Sequence, residues 1–172
     1  NRYHGMTDRE VSRELCRHAV QNLEQTAERM DLAQLARIVE LFRQSEQVYF
    51  VGDMRELECF YSLQLDLMCK GQAVYHCNFD EVKKDELPAM NEKTVVCIFS
   101  VSERYYPEER QLLLEEARAC RAHTVWFTQE GDAGEAEETC YYGTAQSKNM
   151  GYYSLLLLEQ VISAMLYRSD DA

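Results

Sequence analysis

The sequence predicts an α/β fold, a three-layer α-β-α sandwich built on a parallel, doubly wound sheet. Three observations predict it. Apolar runs rich in β-branched and aromatic residues alternate with segments of helical period, the order that a parallel sheet with helical crossovers requires. The run 94–100 is apolar from Val95 to Phe99, the pattern of a strand buried on both faces. Gly52-Asp53-Met54-Arg55-Glu56 joins a strand to a helix, the kind of junction at which such folds hold a ligand.

Each element has a local cause. Thr7 and Glu10 form a capping box, and the four-residue step of Val11, Leu15, Ala19, Leu23, Ala27 and Met30 puts one apolar face on a first helix. Asp31 caps a second helix with Leu32, Leu35, Ile38, Val39 and Phe42 inward. Residues 47–51 form the first strand. A helix over 57–70 follows, ended by Gly71 as a C′ glycine, then a short strand at 73–76. Residues 78–90 are polar, and Pro88 breaks any long helix there. After the strand 94–100, Pro107 opens a helix running to about Arg121, with Glu108 and Glu109 at its positive end. Residues 123–128 form a fourth strand and 129–138 an acidic loop. Residues 139–142 form a short fifth strand. The closing helix, 149–167, turns Leu155, Leu158, Val161, Ile162, Met165 and Leu166 inward.

Bulk properties narrow the function. A chain of 172 residues holds one domain with a sizeable core. A net charge of −12 repels phosphate backbones, which excludes direct nucleic-acid binding by this segment. No apolar run reaches membrane-spanning length. The seven scattered cysteines include no CxxC pair and read as reduced, mostly buried thiols of a cytoplasmic protein. The chain opens on Asn1 without a signal peptide, which points to a segment of something longer.

The strand ends expected to meet at a ligand are 52–56, 76–81, 100–105 and 128–132. Their surroundings, Val48-Tyr49-Phe50-Val51-Gly52, Met68-Cys69-Lys70-Gly71, Val96-Cys97-Ile98-Phe99-Ser100-Val101-Ser102 and Thr124-Val125-Trp126-Phe127-Thr128, together resemble the SIS (sugar isomerase) domain over nearly the whole chain. Leu65–Gly71 and the lead-in 31–42 most resemble the SIS domain of RpiR-type transcriptional regulators. The resemblance implies an SIS domain at 31–172 and a linker or dimerisation helix at 1–30. It implies a homodimer that senses a phosphosugar or other carbohydrate derivative, and it implies no cofactor. DNA contact would come only through an N-terminal helix-turn-helix that this segment lacks. Phosphosugar aldose–ketose isomerisation is the alternative.

The family's first motif, Gly-x-Gly-x-Ser, is matched here by Gly52, with Met54 at its second glycine and Glu56 at its serine. Its second, Ser-x-Ser-Gly-x-Thr, is matched by Ser100 and Ser102, with Glu103 for the glycine and Tyr105 for the threonine. Thr128 matches the threonine that ends the fourth strand. The implied ligand-binding set is therefore Gly52, Asp53, Glu56, Ser100, Ser102, Glu103, Tyr105 and Thr128, with no catalytic or metal-binding residue.

The substitutions bear on the ligand. A carboxylate ~6 Å from a phosphate charge costs about 3 kcal/mol at an effective dielectric near 20, and roughly half that once solvent screens it. Glu56 and Glu103 both oppose a phosphate on this ground, whereas Arg55 or Arg104, turned inward, would offset them. The alternative for Glu56 is a helix N-terminal carboxylate. For Ser100 and Ser102 it is hydroxyls that close a strand. His76, Cys77, Asp80 and Glu81 gather on one turn, but their spacing matches no metal signature. The tyrosine pairs 105–106, 141–142 and 152–153 suit packing, and Tyr105 also suits stacking on a sugar. A pocket without a ligand, leaving dimerisation alone, completes the readings.

Overall fold

The structure, a computed structural model, describes residues 3–100, 104–130, 134–143 and 151–168. Two helices lead in, α1 (Asp8–Arg29) and α2 (Leu32–Gln44). They precede β1 (Gln47–Val51), α3 (Met54–Cys59), α4 (Tyr61–Cys69) and β2 (Ala73–Cys77). Two 3-10 turns, Phe79–Glu81 and Lys84–Glu86, lead to β3 (Thr94–Phe99). The chain continues through α5 (Pro107–Ala119), β4 (His123–Thr128), β5 (Glu138–Tyr141) and α6 (Gly151–Arg168).

Among the described residues the five strands form one parallel sheet in the order β2-β1-β3-β4-β5. Val51 pairs with Cys77 on one side and Ile98 on the other, so the carboxyl ends of β1, β2 and β3 finish level. Alternate strand residues feed two cores, as a pleat of period two demands. Phe50, Phe99 and Phe127 pack with α2, α3, α4 and α6 on one face. Val51, Ile98 and Trp126 pack with α5 and Phe79 on the other. This is the three-layer, doubly wound arrangement. The order of strands reverses between β1 and β3, which is where such a sheet opens a crevice.

Two expectations about helices need correction. The segment 57–70 is not one helix. It begins earlier, at Met54, and breaks at Phe60. Phe60 is fully buried against Phe99 and Phe127, with ring centroids 4.7 and 5.0 Å away. The break disturbs the backbone ladder, and the Gln64 carboxamide donates to the Leu57 carbonyl at 3.1 Å. The first helix also turns a different face inward. Its buried residues are His18, Asn22 and Thr26, while Val11, Leu15 and Leu23 are half-buried and Val20 is exposed. Part of this polar face is hydrogen-bonded, within the helix and to the turn at Gly143 and to α6. Thr26 Oγ1 donates to the Asn22 carbonyl at 2.7 Å and accepts the Gly143 N–H at 2.8 Å. Ser154 on α6 donates to the same Asn22 carbonyl at 3.2 Å.

The cysteines are free, but only Cys97 and Cys140 are buried. Cys16 and Cys69 are exposed and the other three intermediate, so the thiols are less buried than their apolar neighbours suggested. Among the described residues, no helix is long and apolar enough to cross a membrane.

Candidate functional site

The turn after β1 is built around a close approach. A Cβ on Gly52 would lie 2.9 Å from the Phe99 Cβ and 3.3 Å from the Phe99 carbonyl oxygen, so a glycine is needed whatever the turn binds. Asp53 then caps α3, and its N–H donates to Glu56 Oε2 at 2.9 Å. Glu56 is therefore a capping carboxylate, and an unusual one, since only 2% of it is exposed. Burial, then the neighbouring Asp53 carboxylate, pushes its pKa up to about 8, against the opposing pull of the Asp53 amide. Near neutral pH it is largely an acid, not an anion. Met54, in contrast, stands 64% exposed.

The turn after β3 uses its hydroxyl internally. Ser100 is fully buried, and its Oγ accepts the Trp126 indole N–H at 2.8 Å. Ser102 and Glu103 lie outside the described residues. Tyr106 holds a left-handed backbone, φ 47°, at the start of α5, which turns its ring onto Phe79, with centroids 4.9 Å apart. Tyr105 meets Tyr106 edge-on at 5.2 Å. Thr128 is fully buried, and its Oγ1 donates to the Glu130 carbonyl at 3.0 Å.

Between these turns lies an open cavity of about 500 Å³, lined by Asp53, Met54, Arg55, Asn78, Asp80, Tyr105, Tyr106 and Tyr152. Its size suits a small ligand. Of the sequence-predicted residues, Asp53 and Tyr105 line it, whereas Gly52, Glu56, Ser100 and Thr128 lie among the buried residues around it. Asn78 and Asp80 come to it from the expected strand end 76–81 without having been named as ligand residues, and Tyr106 and Tyr152 belong to it unforeseen. The signal for Asn78 and Asp80 was the carboxyl end of β2, already expected to face a ligand; nothing in the local pattern of α6 marked Tyr152. Arg55 does turn toward the cavity, where its guanidinium lies 5.6 Å from the centre of the Tyr152 ring. Arg104 is exposed and is not among the lining residues. Among the described residues, no group of three His, Cys, Asp or Glu side chains is placed to hold a metal ion.

The fold recurs in solved structures. The chain has the SIS fold. It superposes on the Vibrio vulnificus NanR protein complexed with ManNAc-6P with a TM-score of 0.74 at 19% identity, covering 93% of this chain and 64% of that one. A candidate sugar-phosphate isomerase of Listeria monocytogenes matches with a TM-score of 0.77 at 10% identity over 97% and 94% of the two chains. The sugar isomerase domain of an RpiR transcription factor from Sphaerobacter thermophilus matches with 0.65 at 16% over 95% and 99%. The SIS chain described here thus spans just under two thirds of NanR. No family profile and no curated protein matches its sequence.

Proposed function

We propose that this SIS domain is the sensing and dimerisation domain of an RpiR-like transcriptional regulator. It binds a carbohydrate derivative at a phosphate site whose ordinary chemistry is degraded. The observation that carries this reading is the cavity at the carboxyl ends of β1, β2 and β3. Tyrosine rings offer it faces for a sugar, while Met54 and Glu56 stand where the family pattern has glycine and serine. The superposition on NanR, a protein complexed with ManNAc-6P, and on the RpiR domain supports it. The half-buried apolar stripe of α1, with exposed Val20, Tyr153 and Leu156, supports self-association.

Three measurements test this. In a thermal-shift screen of sugars and sugar phosphates at concentrations well above the dissociation constant, a ligand raises the melting temperature; a flat response across the panel contradicts sensing. Light scattering at micromolar concentration reports a dimer, and a 20.1 kDa monomer contradicts dimerisation. A coding region upstream of Asn1 without a helix-turn-helix contradicts the regulator assignment.

One observation favours an isomerase as the second reading. Proton transfer between adjacent sugar carbons needs a base that titrates near neutrality, and Glu56 is held at about 8. Glu56 does not line the cavity, however, and Oε2 is engaged by the Asp53 N–H. Turnover of a sugar phosphate by the purified chain would establish this reading over the first.

A further inference from the structure

The lining of the cavity says more about its ligand than the damaged motifs do. Two carboxylates face it, Asp53 and Asp80, beside the Asn78 carboxamide. Arg55 is the only basic side chain among the described residues that line it, and its charge lies over the Tyr152 ring. The lining carries two carboxylates against one guanidinium, an excess of negative charge. The Asp53 carboxylate is the first cause that raises the pKa of both the Tyr105 and the Tyr106 phenols, and Asp80 adds to it at Tyr106. Among the described residues, Thr128 spends its hydroxyl proton on the Glu130 carbonyl, and the fully buried Ser100 is turned to the Trp126 indole, whose N–H it accepts.

Resting on the carbohydrate-sensing reading, we infer that this cavity takes an unphosphorylated amino sugar, held between tyrosine faces with its ammonium group against Asp53 and Asp80. Each part of such a ligand has a partner. An ammonium is attracted both by carboxylates and by the faces of aromatic rings. Ring hydroxyls exchange hydrogen bonds with carboxylates, which accept, and with the Asn78 carboxamide, which accepts and donates. The C–H faces of the sugar lie on tyrosines, whose rings pair an apolar body with a polar tip. A phosphate ester meets two like charges and one engaged cation instead. Removing the phosphate relieves the repulsion, and adding an amine turns it into attraction.

The test is calorimetric titration of the whole chain at pH 7. The panel holds glucosamine, galactosamine and mannosamine, the three parent hexoses, and the 6-phosphates of all six. At least one hexosamine is expected to bind about tenfold or more tightly than both its parent hexose and its own 6-phosphate, roughly 1.4 kcal/mol. Asp80→Asn, which keeps shape and removes charge, is expected to weaken that hexosamine about tenfold more than it weakens the parent hexose. A melting curve that matches the wild type shows that the variant is folded. Equal affinity for hexose and hexosamine, or indifference to Asp80→Asn, overturns the inference. Tighter binding of a 6-phosphate overturns it while leaving carbohydrate sensing intact. Silence across the panel overturns both.

Discussion

Replacing Glu56 by glutamine isolates the cost of keeping a carboxyl group in the core behind the first turn. Glutamine retains an oxygen that can accept the Asp53 N–H, now made at 2.9 Å, but it has nothing to ionise. In the folded wild type, burial and then Asp53 raise the Glu56 pKa from about 4.5 to about 8. Between those two values the folded chain keeps a proton that the unfolded chain has lost. Wild-type stability therefore falls as pH rises through that window, and this contribution levels off above it. At about 1.36 kcal/mol per pH unit, the penalty is under about 1 kcal/mol at pH 5 and on the order of 4 kcal/mol at pH 8. Glu56→Gln escapes it. In urea unfolding at pH 5, 6, 7 and 8, the stability difference between variant and wild type should widen by about 3 kcal/mol in favour of glutamine. Parallel curves across that range would refute the reasoning, because they would mean that Glu56 ionises in the fold as it does in water.

Further substitutions test the parts around it. Ser100→Ala strands the buried Trp126 indole N–H, now bonded at 2.8 Å, and should cost about 1–3 kcal/mol in denaturant unfolding while leaving ligand affinity unchanged. Gly52→Ala drives a methyl to 2.9 Å from the Phe99 Cβ, and a melting curve should show a loss of about 1–3 kcal/mol. Thr26→Val leaves the Gly143 N–H without its acceptor at 2.8 Å, and should destabilise the α1–α6 seam by about 1–3 kcal/mol, read from the unfolding midpoint.

The strands were the most legible part of the sequence. β1 and β4 have the expected bounds, and β3 ends one residue earlier, because a strand buried on both faces reads as a near-continuous apolar run. The break at Phe60 was not legible. Tyr61 to Cys69 is helical by composition, and what interrupts the helix is the packing of one ring among aromatics contributed by β3 and β4. The first helix misled for a related reason. Its apolar stripe was plain, but the neighbouring surface of α6 and the turn at Gly143 present polar groups, so His18, Asn22 and Thr26 face inward. At the site, the substituted positions Met54, Glu56 and Tyr105 were visible from the motif pattern. That Ser100 serves Trp126 was not, because their contact joins two strands that only the sheet brings together.

If the cavity is a carbohydrate site whose phosphate chemistry has been replaced, reversing the replacement restores phosphate binding. Wild type and the triple variant Met54→Gly, Glu56→Ser, Glu103→Gly are titrated with the same hexose 6-phosphates. The triple variant is expected to bind at least one of them about tenfold or more tightly than the wild type does, since it restores the two glycines that allow close backbone approach and the serine hydroxyl of the family pattern. Unchanged affinity in a folded triple variant would contradict this expectation and place the ligand elsewhere.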